Sequence, residues 1–264
     1  NTDITSGNCP DLIDLSYINL EQMAKKGVFE DLYSYLESSS ALSREDYLEN
    51  ILDSYTFDGK LAGIPKSFSV ATLIASSADL GEEMGWSLDE MIAYADAHPD
   101  AQLFDGVNQA TMMEFVMRCN EGAFVDWAGG TCSFNSDAFK KVLEFVARFP
   151  EDFDYSEDNL STPTKIQNGE VLIDTAGIYD FREMQIYNEI FEGKAVCIGY
   201  PTMDGSAGVL MHSGDVYGLL SGSKNKEGAW AFLESYLSSS MDQFYYSGFP
   251  TKKAELEEMA KEAV

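Results

Sequence analysis

The sequence predicts an α/β fold with mixed sheets. Short apolar runs typical of strands alternate along the chain with amphipathic segments typical of helices. With 264 residues, of which 45% are hydrophobic, the chain is long enough for one large domain or for two lobes with their own cores. We find no internal repeat and no low-complexity linker, so composition alone does not place a domain boundary.

The first half of the chain shows clear start and turn signals. An apolar run at residues 11–15 predicts a strand, which helical spacing over residues 20–28 follows. Ser43 opens a second predicted helix reaching Leu52, the pair Asp58-Gly59 predicts a hairpin turn, and residues 68–75 form a long buried strand.

Later elements follow the same alternation. Helices are predicted from Ser87 to about residue 97, over residues 109–119 and from Ser136 to about residue 149, with a hairpin at Gly129-Gly130. A short helix is predicted from Thr164. After it, strands are predicted over residues 171–174, 195–199 and 216–220, and helices over residues 180–191 and 226–237.

The charge of the chain excludes several classes of partner. Asp and Glu number 45 against 17 Lys and Arg, which gives a formal net charge of −28. Such a field repels phosphate backbones and anionic head groups, so we expect no nucleic-acid binding and no electrostatic docking on membranes. The simplest interpretation is solubility, and a cationic ligand is the alternative.

Two further observations bear on location and redox state. No apolar run reaches 18 residues, and the N-terminus lacks the pattern of a signal peptide, although processing can have removed one. The four cysteines form no CxxC pair, which argues against a zinc knuckle. Free buried thiols are expected, with a Cys119–Cys132 disulfide as the alternative.

Catalytic and metal-binding motifs are missing. The patterns GxSxG, HExxH and GxxxxGK[ST] do not occur. Acidic and serine residues alternate over positions 152–158 as in a calcium loop, but Glu157 replaces the required Gly and Pro163 stands where the bidentate Glu belongs. We therefore predict no cofactor, no metal and no catalytic residue.

Several segments carry a family resemblance. They read PDLIDL at residues 10–15, AKKGVFEDL at 24–32, GKLAGIP at 59–65, NGEV at 168–171 and SKNKEGAW at 223–230. In order and spacing, these motifs resemble those of extracellular solute-binding proteins, in the branch that includes maltodextrin-binding proteins. The resemblance covers nearly the whole chain.

The resemblance implies a two-lobed, periplasmic-binding-protein-like fold with a cleft between lobes joined by crossover strands. We expect lobe I to comprise residues 1–70 plus 200–247, and lobe II residues 71–199 plus 248–264. Relative to the family pattern, the chain is expected to be trimmed at both ends.

The resemblance also implies a function. We expect the monomeric substrate-binding component of an ABC importer, which captures an oligosaccharide and docks on the transporter permease. It would be extracellular and lipid-anchored on a Gram-positive cell, through an anchor absent from this segment. One alternative is a polyamine or other cationic solute, held by Asp14, Asp174, Asp180 and Asp215. The other is a glycan-cleaving enzyme, although with 45 acids some carboxylate pair always looks plausible.

Sugar sites need aromatic faces for the apolar sides of pyranose rings, and carboxylate or amide groups for hydroxyls. By resemblance, Tyr179 is the expected stacking residue with Asp180 as a hydroxyl acceptor, whereas the alternative is that Tyr179 caps a helix and packs. Further ligand-binding candidates are Ser16, Tyr17, Ser67, Phe68, Asn108, Gln109, Thr111, His212, Ser213 and Asp215. The context of Trp127 favours local packing beside Phe134 rather than stacking.

Overall fold

The computed structural model describes residues 9–16, 18–127, 129–152, 160–239 and 248–263, and its mixed sheets and helices confirm the α/β class. The chain forms two compact units. Unit 1 comprises residues 1–69, 179–181 and 212–264, and unit 2 comprises residues 70–178 and 182–211. Chain passages between the units therefore lie at residues 69–70, 178–179, 181–182 and 211–212.

Unit 1 is built on a short antiparallel strand pair with helices packed beside it. Its strands and helices are β1 (Leu12–Asp14), α1 (Leu20–Lys25), α2 (Leu32–Ser38), α3 (Glu49–Asp53), β2 (Thr56–Phe57) and β3 (Lys60–Leu61). The chain continues with β4 (Ser67–Ser76), whose first three residues belong to this unit.

Unit 2 contains the rest of β4 and the elements that follow it. These are α4 (Ser77–Leu80), α5 (Leu88–Ala97), β5 (Gln102–Phe104), α6 (Gln109–Arg118), α7 (Glu121–Phe124), β6 (Val125–Asp126), β7 (Thr131–Cys132), α8 (Asp137–Val146), α9 (Thr162–Gln167), β8 (Val171–Ile178), α10 (Phe181–Ile190, which begins in unit 1) and β9 (Ala195–Cys197). The chain returns to unit 1 through β10 (Leu210–Ser213), β11 (Tyr217–Leu219), α11 (Lys226–Ser238), β12 (Phe249–Pro250) and α12 (Lys253–Glu262).

Unit 1 is held together by long-range hydrogen bonds as well as by its apolar core. β1 pairs antiparallel with β11, with Leu12 opposite Leu219 and Asp14 opposite Tyr217. Asp31 caps α2 by accepting from Tyr33 N, and the same carboxylate oxygen accepts from Leu61 N, so one side chain fixes both the helix and the β2–β3 hairpin.

The sheet of unit 2 forms around β4 and β8. β8 pairs antiparallel with β4, from Val70 opposite Ile178 to Ile74 opposite Asp174, and it pairs in parallel with β5. Helices α5, α6 and α8 bury apolar side chains against this sheet. The most deeply buried members of that core are Leu73, Ala75, Met91, Met112, Val116, Val142, Phe145 and Ile173.

The structure differs from the expected lobes at the C-terminus. Residues 248–264 fall in unit 1, whereas the sequence led us to expect them in lobe II, and residues 200–211 fall in unit 2 rather than lobe I. The physical reason at the C-terminus is strand pairing: Phe249 lies opposite Phe68 on β4, and Leu48 N donates to Thr251 O at 3.0 Å.

Local signals predicted seven of the twelve helices among the described residues, whereas α2, α4, α7 and α12 were not predicted and one predicted helix is wrong. The capping box of Ser87 and Glu90 and the Asp58-Gly59 turn are confirmed. The single helix expected from Ser43 is wrong, because a 3-10 turn over Arg44–Asp46 ends at the buried, extended Tyr47 before α3 begins.

A partly buried ion pair stabilises unit 2. Lys165 Nζ lies 2.7 Å from Asp105 Oδ1, with side-chain exposures of 12% and 13%, and Thr162 Oγ1 donates to the other carboxylate oxygen at 2.6 Å. Burial alone raises the pKa of Asp105, but the hydrogen bonds and the charge of Lys165 outweigh it, so the pKa lies below its ordinary value.

We predict that Asp105→Asn lowers the free energy of unfolding at pH 7 by about 1–3 kcal/mol, because it removes the carboxylate that the partly buried Lys165 binds. The folded-state pKa is depressed, so this stabilisation is present above the ordinary carboxyl pKa of about 4 and is lost as pH falls through the lower folded-state value. Denaturant unfolding at several pH values measures both effects.

The matched control is Asp96→Asn, which breaks the exposed ion pair of Arg148 and Asp96. Its cost should stay below about 1 kcal/mol. Equal effects of the two substitutions at pH 7 would contradict the role assigned to the pair of Lys165 and Asp105.

Candidate functional site

The end of β1, the start of β4 and the chain between β10 and β11 meet in unit 1. Leu15 N donates to Val216 O at 2.9 Å, and Gly214 N donates to Ser67 O at 2.9 Å. The residue after Leu15 is Ser16, so this candidate and the segment 212–215 come to the same edge of unit 1 as Ser67.

Two glycines allow this close approach. A Cβ atom on Gly214 would lie 2.6 Å from Ser67 Oγ. A Cβ atom on Gly63 would lie 2.6 Å from Leu15 Cδ1 and 2.8 Å from Val216 Cγ1, both in the core. At these distances a neighbouring side chain has to move to admit a Cβ atom. At Gly63 the neighbours are the buried Leu15 and Val216, which have little room to move, whereas at Gly214 the Ser67 hydroxyl can rotate away.

Polar groups collect around the meeting point. Ser16 N donates to Asp14 Oδ1 at 2.8 Å, and the hydroxyl of Tyr55 hydrogen-bonds with Ser213 Oγ. Burial raises the pKa of Tyr217, and the carboxylates of Asp215 and Asp14 raise it further. Two carboxylates at this edge are therefore close enough to Tyr217 to raise the pKa of its hydroxyl group.

Tyr179 and Asp180 lie between the end of β8 and the start of α10, in a three-residue segment that belongs to unit 1. Aromatic contacts anchor this segment: the ring of Phe181 lies 5.0 Å from that of Phe249, which lies 5.5 Å from the ring of Phe68. Tyr179 itself is 42% exposed, so its ring is not a core group. Among the candidates, the unit 1 cluster consists of Ser16, Ser67, Phe68, Tyr179, Asp180, His212, Ser213 and Asp215.

Comparison with known proteins identifies the family. Residues 1–255 match the family described as bacterial extracellular solute-binding protein. The chain belongs to this solute-binding family. No curated protein sequence matches it.

Solved structures share the fold at low sequence identity. The sugar-binding protein MalE from Xanthomonas citri has a TM-score of 0.62 and 19% identity, over 98% of this chain and 72% of that one. An ABC substrate-binding protein from Listeria monocytogenes, solved with cycloalternan, has a TM-score of 0.55 and 18% identity, over 98% and 71%. The galacto-N-biose/lacto-N-biose I-binding protein from Bifidobacterium longum has a TM-score of 0.53 and 19% identity, over 96% and 65%.

Three predicted site residues of this solute-binding chain belong to unit 2 and not to the unit 1 cluster, and they lie at the start of α6. Asn108 Oδ1 accepts from Thr111 N at 3.0 Å and from Thr111 Oγ1 at 3.1 Å, while Gln109 Nε2 donates to Phe149 O at 3.0 Å. These groups hold the helix start in place, and their ligand contacts stay a prediction.

Other predicted residues differ in accessibility. Ser67 is buried and His212 is exposed, while Tyr17 lies outside the described residues. Sequence reasoning missed Tyr55 and Phe249, because only the tertiary fold brings them to the unit 1 cluster.

The expected local packing of Trp127 is wrong, since its side chain is 77% exposed. Its indole Nε1 instead donates to Glu121 Oε1 at 3.1 Å. Hairpin context indicated a partner for the ring but did not show which way the ring faces.

Cysteines and acidic groups give no metal or disulfide site in the part of the chain that the structure describes. All four cysteines are free, and Cys132 is exposed rather than buried as expected.

The described residues also contain no candidate metal site. No group of three or more His, Cys, Asp or Glu residues among them is arranged to hold a metal ion. Most of the calcium-like segment, residues 153–158, lies outside them. Within the same residues, no helix has the length and apolar character needed to cross a membrane.

We predict that Gly63→Ala lowers the free energy of unfolding by about 1–3 kcal/mol, because its methyl group would overlap Leu15 and Val216 where the strand ends meet. Gly122→Ala is the matched control: its added Cβ meets no atom within 4 Å and it lies in helix α7. This control should be neutral or slightly stabilising. Urea unfolding of both variants checks the pair, and equal stabilities would contradict the close approach at Gly63.

Proposed function

We propose that this chain captures a carbohydrate for an ABC importer and that the unit 1 cluster supplies part of its ligand contacts. The observation that carries the proposal is the exposed ring of Tyr179 beside Asp180, in the same unit as Ser16, Ser213 and Asp215. An aromatic face with neighbouring carboxylates and hydroxyls suits a polyhydroxylated ring, which has apolar C–H faces and polar edges.

Family membership supports the same proposal. The related structures named above are described as sugar-binding proteins or were solved with a glycan. We extend this to an oligosaccharide ligand, a transporter permease as docking partner and a monomeric protein on the outside of the cell, tethered by a lipid anchor. Each of these assignments rests on family likeness.

The proposed role involves binding without covalent chemistry. Mass spectrometry of ligand carried through purification, followed by calorimetric titration of that compound, tests the ligand class. Sustained release of shortened products from an oligosaccharide by the pure protein would instead establish a glycan-cleaving enzyme.

We predict that Tyr179→Ala weakens affinity for the bound glycan by about 1–3 kcal/mol, because it removes an aromatic platform. The melting temperature should change little, since the ring is exposed. Tyr179→Phe should retain most of the affinity if stacking dominates over the hydroxyl group. Calorimetric titration and thermal unfolding measure the two quantities.

Ile186→Ala is the matched control, because it truncates another exposed apolar side chain on the helix that follows Tyr179. Its affinity should equal that of the unmodified protein. A loss of several kcal/mol in stability for Tyr179→Ala, or glycan affinity within twofold, would assign Tyr179 to packing.

A cationic solute such as a polyamine is the second candidate ligand. The observation that favours it is the pair of carboxylates, Asp14 and Asp215, that both act on Tyr217 in a chain with net charge −28. Ion pairing is screened by salt, whereas neutral hydrogen bonding and stacking are not. We predict that ligand affinity changes less than about threefold between low and physiological ionic strength. A steep loss with salt would favour the cation.

A further inference from the structure

An aromatic groove lies on unit 2, away in sequence from every residue of the unit 1 cluster. Its cavity volume is about 510 Å³, within the usual range for small-molecule sites. The walls are mainly apolar, with a few charged groups at the rim. The residues that matter for its chemistry are Met117, Arg118, Glu121, Val125, Trp127 and Phe134.

The indole of Trp127 is exposed and hydrogen-bonded to a carboxylate. Its Nε1 donates to Glu121 Oε1 at 3.1 Å, and the β6–β7 hairpin beneath it is tightened by a hydrogen bond from Gly129 N to Asp126 Oδ1 at 2.8 Å. Large aromatic side chains are usually buried, so an exposed indole beside a second exposed aromatic ring indicates a contact surface.

Phe134 provides a second fixed aromatic surface. Its ring is 44% exposed and lies 4.8 Å from the ring of Phe139, which in turn packs 5.1 Å from Phe124. The inner edge of Phe134 is therefore anchored to the core of unit 2. Its outer face is open beside the groove.

The polar rim contains both hydrogen-bond donors and acceptors. Arg118 donates to Glu114 Oε1 through Nη2 at 2.5 Å and through Nε at 3.2 Å, and to the Tyr200 hydroxyl at 3.0 Å. These bonds use three of the five guanidinium N–H groups and fix the group in place. Glu114 and Glu121 add carboxylate oxygens.

The groove combines aromatic faces, carboxylates and a guanidinium group, and this combination favours one class of ligand over the others. A lipid tail would meet three charged side chains, and a nucleic acid would meet the strongly acidic field of the chain. A simple cation would meet the guanidinium of Arg118. A sugar ring satisfies all of the groups, because its C–H face covers an aromatic ring while its hydroxyls both donate and accept.

We propose that this groove is a second glycan-binding surface, in which a sugar ring stacks on Trp127 and its hydroxyls bond to Glu121 and Arg118. It lies entirely within unit 2 and shares no residue with the unit 1 cluster. The chain would then hold a glycan at two places, one of which does not depend on Tyr179.

The test uses the intact protein labelled with 5-fluorotryptophan and observed by fluorine NMR. The chain has three tryptophans, and Trp127→Phe assigns the signal of the exposed one. The probes are maltotriose, cellotriose, xylotriose and laminaritriose. We expect at least one trisaccharide to shift the Trp127 signal along a saturating curve, while the signal of the buried Trp86 stays in place.

Variants then separate this surface from the unit 1 cluster. Phe134→Ala and Glu121→Gln should raise the apparent Kd read from Trp127 by about tenfold. Leu143→Ala, which truncates an exposed apolar side chain of α8 outside the groove, is the control and should leave the Kd unchanged. Tyr179→Ala should also leave it unchanged, even if it abolishes binding at the unit 1 cluster.

Three results would overturn the inference. The first is the absence of any shift with all four trisaccharides. The second is a shift that disappears in Tyr179→Ala, since it would then report a ligand bound at the unit 1 cluster. The third is a shift that depends on protein concentration without any glycan, which would assign the groove to contact between copies of the chain.

Discussion

Hydrogen bonding along β4 is the constraint on which most of the strand pairing in this protein depends. In unit 2 the strand pairs with β8 and β9, and in unit 1 its first residues pair with β12. Segments that carry residues of the unit 1 cluster are bonded to the same strand. Gly214 N donates to Ser67 O, and Phe249 lies opposite Phe68. Val70 lies opposite Ile178, the residue before Tyr179. A register shift of one residue in β4 would move all of these contacts together, because they are all made with this strand. It would also turn the buried side chains of β4 to the opposite face of the sheet.

The sequence predicted elements whose signals are local. β4 was found because its buried stretch, including Leu73, Ile74 and Ala75, reads as a continuous apolar run. Strands β5, β10 and β12 were missed, since two to four residues carry no usable periodicity and their partners lie far away along the chain. The same reason explains why residues 248–264 were expected with the other lobe.

How well the sequence predicted the candidate site differed from residue to residue. Tyr179 and Asp180 came from family resemblance, and their exposure or contacts are not written in the local sequence. The capping role of Asn108 could have been read from the sequence, since Asn is among the residues most preferred at the N-cap of a helix. Tyr55 and Phe249 reach the unit 1 cluster only through tertiary contacts, and the outward face of Trp127 depends on its bond to Glu121.

The β6–β7 hairpin carries an exposed thiol group, which has a practical use. Cys132, opposite Val125 in the hairpin, is the exposed cysteine of the chain, whereas Cys9, Cys119 and Cys197 are half-buried. Burial also raises the pKa of the thiols of Cys119 and Cys197, and the thiolate is the form that reacts with alkylating reagents. A maleimide dye added to the unaltered protein would therefore attach first at Cys132, beside Trp127, and the native chain would become a fluorescent reporter of whatever enters the groove without any engineered residue.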